Sequence, residues 1–178
     1  KSGYWLSMLE ETDFSFYGYA VDPGLEYSLH SGANLISFPS HGSIGIGDGI
    51  PDDVEDQFTG IISEGVAAIN NDGNWEGSLQ EINAESGYWL IMLEETDFSF
   101  YGYTLDPSLE YSLHPGTNLI SFPSQGSIDI SDGIPDDVED QFTGIITEGS
   151  AALNNGDTWV GSLTAFEGTK GYWVIAQS

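Results

Sequence analysis

The chain has 178 residues, 39% of them hydrophobic and 13% aromatic, and sets 2 Lys and Arg against 29 Asp and Glu for a formal net charge of −27, with no cysteine. The apolar content is that of a folded protein, and the charge repels nucleic acid and anionic membrane surfaces. Disulfides, thiolate metal sites and cysteine nucleophiles are excluded outright.

Acidity on this scale reads as solvation in salty or divalent-rich water, where counter-ions screen carboxylate repulsion within about 10 Å. No apolar run approaches the roughly 18 residues of a membrane span, so insertion into a bilayer is not expected. The opening Lys-Ser-Gly-Tyr-Trp is not a signal peptide, and there is no Asn-x-Ser/Thr sequon.

The sequence superposes on itself at a shift of 84 without gaps, and most paired positions are identical. Gly3-Tyr4-Trp5-Leu6 recurs as Gly87-Tyr88-Trp89-Leu90 and again as Gly171-Tyr172-Trp173-Val174. Asn34-Leu35-Ile36-Ser37-Phe38-Pro39 returns at 118–123, and Trp75-Glu76-Gly77-Ser78-Leu79 at 159–163. The division this suggests is a spare strand at 1–9, one module over 10–93 and a second over 94–178.

Within the first copy, Asp13 to Tyr17 alternates with both Phe side chains on one face, as a half-buried strand does. Glu26 to His30 alternates likewise, and Ser31-Gly32-Ala33 turns into Asn34 to Phe38, which predicts a hairpin. Pro51 followed by acids, with Val54 and Phe58 at i and i+4, predicts one short helix per module. Two strands follow, Gly60 to Ser63 and Gly65 to Ile69, then a turn at Asn70 to Gly73 and strands at Trp75 to Leu79 and Gly87 to Leu93. The last is apolar on both faces, which places it centrally or under cover on both sides. The fold class is all-β: two tandem small antiparallel sandwich-like modules, each with a short helix.

An N-L-I-S-F-P opening, a W-x-G-S-L element and a closing G-Y-W-[LV] together resemble the tandem modules of long secreted or surface-attached bacterial proteins. The resemblance covers nearly the whole chain and implies an extracellular or cell-surface, array-forming β protein. It implies no particular activity.

Counting one closing strand per module leaves Gly3, Tyr4, Trp5, Leu6, Met8 and Leu9 without a module of their own. An uncovered strand with two apolar faces invites pairing, so this segment is the candidate assembly strand, completing a neighbouring subunit by strand addition and propagating a head-to-tail homopolymer. The competing reading makes it the end of a preceding module in a longer array.

Gly47-Asp48-Gly49-Ile50-Pro51-Asp52-Asp53-Val54-Glu55-Asp56 is similar to the G-D-G-I-P-D-x-x-E-D core of calcium-binding repeats of the thrombospondin type 3 kind. That similarity implies Ca²⁺ at Asp48, Asp52, Asp53 and Asp56 and at Asp132, Asp136, Asp137 and Asp140. Against it, the positions two and four before the central Asp are Ile46 and Ile44, with Ile130 and Ile128 in the second copy, so half of an oxygen-rich loop is missing. The other reading gives these acids to the start of the short helix.

Trp75, Trp159, Tyr17 and Tyr101 are candidates for stacking on the sugar rings of a polysaccharide, against the commoner role of aromatics as core and strand-pair residues. Catalysis finds no motif: carboxylate pairs arise by chance among 29 acids, His30 and His114 read as turn residues, His41 becomes Gln125, and Lys170 is the only internal Lys. The sequence therefore reads as a structural fibre subunit, with an adhesion or carbohydrate-binding module as the alternative.

Overall fold

The computed structural model describes residues 4–5, 12–15, 24–38, 42–100, 110–122, 126–156, 158–167 and 170–176. Strands β1 (Tyr4–Trp5) and β2 (Thr12–Ser15) come first. The first module then runs through β3 (Tyr27–Leu29), β4 (Gly32–Ser37), β5 (Ser43–Gly45), α1 (Ile46–Gly49), α2 (Asp52–Glu55), β6 (Phe58–Ser63), β7 (Val66–Asn71), β8 (Asn74–Gly77), β9 (Glu81–Asn83), β10 (Gly87–Met92) and β11 (Thr96–Phe98). The second repeats the order with β12 (Glu110–Leu113), β13 (Thr117–Ser121), β14 (Ser127–Asp129), α3 (Ile130–Gly133), α4 (Asp136–Glu139), β15 (Phe142–Thr147), β16 (Ser150–Asn154), β17 (Trp159–Gly161), β18 (Ala165–Glu167) and β19 (Gly171–Ala176).

Each module is all-β and antiparallel. The first has a main sheet in the order β4-β10-β6-β7-β8, with the small sheets β11-β3 and β5-β9. In the second, β13-β19-β15-β16-β17 and β14-β18 take the corresponding places. The Gly-Tyr-Trp strand is central, as its two apolar faces require: β10 lies between β4 and β6 with Tyr88, Leu90 and Met92 buried and Trp89 and Ile91 half-buried.

Two separate cores result. One gathers Tyr27, Leu29, Ile36, Phe38, Phe58, Ile61, Tyr88 and Leu90 with Phe98 and Phe100; the other gathers Tyr111, Leu113, Ile120, Phe122, Phe142, Ile145, Phe166 and Tyr172. Phe98 and Phe100 pack edge-on at 4.7 Å between ring centres, and Phe100 also meets Phe38 and Tyr27. The chain thus stays in the first core through β11 and Phe100.

The repeated motifs are explained by local bonds. Asn34 accepts the His30 N–H through Oδ1 (2.9 Å) and donates through Nδ2 to the His30 carbonyl (2.7 Å), and Asn118 does the same at His114. This pins the turn of the N-L-I-S-F-P element. That turn is not a hairpin, however: β3 pairs with β11 while β4 pairs with β10, so the chain rounds a corner from one sheet to the other. In W-x-G-S-L, the Leu79 N–H reaches the Ala67 carbonyl at 3.0 Å, Ser78 Oγ accepts the Ala67 N–H at 3.2 Å, and Leu79 enters the core. Gly77 is required there, because a Cβ would overlap the Ala67 oxygen, and Gly161 stands in the same relation to the Ala151 oxygen.

The turn between β7 and β8 places Asp72 at φ 51° and Gly73 at φ 82°, the paired positive values of a type I′ turn, which Asp-Gly favours. The acidic segment folds as two single-turn helices, α1 and α2, rather than one, because Ile50 and Pro51 are extended between them.

Candidate functional site

The N-terminal strands are placed by pairing with the second module. β2 runs antiparallel to β12 with Thr12 opposite Leu113, Asp13 opposite Ser112 and Phe14 opposite Tyr111. In the first module β11 meets β3 with Thr96 opposite Leu29, Asp97 opposite Ser28 and Phe98 opposite Tyr27. Shifted by 84, the two registers are the same. The place that β11 takes beside β3 is therefore taken beside β12 by a strand from the start of the sequence.

β1 differs: the place that β10 takes beside β4 is filled beside β13 by β19, and β1 also pairs with β13. Tyr4 lies opposite Ile120 and Trp5 opposite Leu119, the two residues of β13 that β19 also meets through Tyr172 and Trp173. Of the candidate assembly strand, Tyr4 and Trp5 are thus paired to the second module, and Gly3, Leu6, Met8 and Leu9 lie outside the described residues.

The two modules also touch through reciprocal contacts. His30 Nε2 lies 2.9 Å from Glu148 Oε1, and His114 Nε2 lies 2.9 Å from Glu64 Oε1. The second oxygen of each carboxylate accepts a backbone N–H, Leu35 to Glu148 and Leu119 to Glu64. Isolated bridges join Ile36 to Lys170 and Ile120 to Ser86. Each contact is exchanged for its repeat equivalent, which is a pseudo-twofold relation between copies. Both imidazoles are held above their ordinary pKa, first by the adjacent backbone carbonyl of Ser31 or Pro115, and also by the opposing carboxylate. The sequence alone presents the two histidines as turn residues and gives no sign of their partners, since Glu64 and Glu148 are two exposed acids among many.

The outward face of each main sheet carries large exposed apolar groups. Ile62 and Ile69 have the equivalents Ile146 and Leu153, joined by Val160, which lies directly opposite Leu153. A monomer rarely repeats such a stripe without a use for it.

The eight aspartates proposed for calcium, Asp48, Asp52, Asp53, Asp56, Asp132, Asp136, Asp137 and Asp140, all lie exposed on or beside the single-turn helices. None makes a side-chain N-cap bond there. Among the described residues no three His, Asp or Glu side chains converge as a metal ion requires.

Of the aromatic candidates, Tyr17 and Tyr101 lie outside the described residues. Trp75 and Trp159 are half-buried, and each donates its indole N–H to a carboxylate of the preceding helix, Glu55 at 2.7 Å and Glu139 at 2.5 Å. The backbone carbonyls of Glu55 and Glu139 accept from Asn70 and Asn154. A cavity of about 440 Å³ opens beside Trp159 and Glu139.

No protein-family model, curated protein or solved structure matches the chain. What the fold itself defines is an all-β tandem-repeat protein whose N-terminal strands pair with its second repeat.

Proposed function

We propose that this chain is a structural repeat protein of the cell exterior, a subunit or segment of a surface fibre assembled through β-strand and end-to-end contacts. The observation that carries the reading is the pairing of β2 with β12 in the register of β11 with β3. A strand contributed from a distant part of the sequence can equally be contributed by another copy, and one donor and one acceptor per chain make a heterologous contact, which propagates as a filament where its rotation does not close a ring. The apolar stripes at Ile62 and Ile69 and at Ile146 and Leu153 supply a lateral surface on the same copies. A net charge of −27 limits indiscriminate association, so contacts must come from matched strands.

Electron microscopy of the purified chain tests this, in low salt with a chelator and again with added calcium. Filaments with an axial repeat set by two modules are the expected outcome, and their dependence on calcium would assign the aspartate-rich segments a structural metal. Discrete monomers at every concentration and in both conditions would overturn the proposal.

A further inference from the structure

We infer that the groove beside Trp159 is a binding site for an uncharged saccharide unit, and that the second module alone carries it. The cavity, about 440 Å³, falls within the roughly 300–1,000 Å³ of small-molecule sites. Its wall is the half-buried Trp159 ring, fixed by the indole bond to Glu139 and packed on the second core. The other residues that line it include Asp129, Glu139, Ser131, Thr158 and Thr164. This pairs an aromatic residue with side chains that bear oxygen acceptors and rotatable O–H donors. A pyranose ring matches it with a C–H face for the indole and many hydroxyls for the oxygens. Anionic glycans are disfavoured by the two carboxylates and by the charge of the whole chain.

The repeat supplies an internal comparison. Most positions of the two modules are identical, yet four of the seven lining residues differ: Asp129, Ser131, Thr158 and Thr164 stand where the first copy has Gly45, Gly47, Asn74 and Gln80. Trp75 and Glu55 keep the frame in the first copy, with their indole–carboxylate bond intact. What the first copy lacks is the Asp129 carboxylate and the Ser131 hydroxyl, for which Gly45 and Gly47 bring no side chain, while Asn74 and Gln80 put amides in place of the two threonines. Asp129 and Gly45 adopt the same backbone, with φ −58° and −55°, so the exchange leaves the local fold unaltered. No residue of β12 or β13 lines the groove, so saccharide binding there stands or falls independently of strand addition.

The test is isothermal titration of the full chain, and of a D129G/S131G variant bearing the first module's residues, with neutral tetrasaccharides of glucose, galactose, mannose and N-acetylglucosamine. A galacturonate tetramer serves as the anionic comparator. The variant should stay folded with a thermal midpoint only a few degrees lower, since each backbone already occurs in this fold and the two glycines cost about 1–2 kcal/mol through the unfolded chain. The expected result is one site per chain for at least one neutral sugar, at roughly millimolar Kd or tighter, weakened tenfold or more in the variant. Failure of all four neutral sugars to bind, a stoichiometry of two, preference for the galacturonate, or undiminished binding by the variant would overturn it.

Discussion

At Gly77 the backbone of β8 passes so close to β7 that the Ala67 oxygen occupies the space a Cβ needs. Gly77→Ala should therefore cost about 2–3 kcal/mol in urea unfolding; a change under about 0.5 kcal/mol would mean that the strands separate freely. Thr147 presents the opposite case. Its hydroxyl is buried and has no hydrogen-bond partner among the described residues, while Ser63, its equivalent, donates to the Gly87 carbonyl at 2.9 Å. Thr147→Val should stabilise by about 1 kcal/mol, read as a higher urea midpoint, because it removes an unmet polar group at nearly constant volume. The two histidines set a pH dependence. Their folded pKa is raised, so the stabilisation is complete below the unfolded value of about 6.5 and is lost as pH rises through the folded value. Both pairs are exposed, so each contributes at most about 0.5 kcal/mol. The thermal midpoint of the native chain should fall relative to H30Q/H114Q between pH 5.5 and 8.5, and parallel profiles would remove the histidines from the contact. Of these residues, the sequence marked Gly77 as part of a motif. The Thr147 and His–Glu environments arise from distant segments and leave no local signal.

Among the elements, the stripe formed by Ile69 on β7 and Leu153 on β16 is 65% and 61% exposed. Replacing both by Asp should leave monomer stability within about 0.5 kcal/mol, since little burial is lost. The same change should raise the concentration at which fibres form, measured by sedimentation; unchanged assembly would take this face out of the fibre. Strand positions were largely legible here, because period-two alternation survives in β3, with Tyr27 and Leu29 buried and Ser28 exposed, and the doubly apolar Gly-Tyr-Trp strand announces a central place. Three features were not. β5 and β9 are three residues each and, among the described residues, pair with one another, too short for periodicity to register. α1 begins at Ile46 without a capping side chain. The turn at Ser31-Gly32 has hairpin chemistry, yet β3 is claimed by β11, so long-range pairing overrides the local signal.

On the scale of the whole molecule, the repeat of 84 residues was plain in the sequence, and so was the presence of three Gly-Tyr-Trp strands for two modules. The partner of the surplus strand was not, because register is a property of two segments together. Fibre formation by strand addition requires that β2 pair with β12 of another copy. The absence of native cysteine makes a clean test available, with Asp13→Cys in one chain and Ser112→Cys in a second. These positions lie directly opposite, where Cα atoms are about 4.5–5.5 Å apart, within reach of a disulfide. The two variants are mixed, allowed to assemble and oxidised, and the product is read by non-reducing electrophoresis and peptide mass. Strand addition between copies predicts a covalent dimer in the mixture, joined through the two substituted positions. A disulfide that appears only when both substitutions share one chain, always as a monomer, would contradict it.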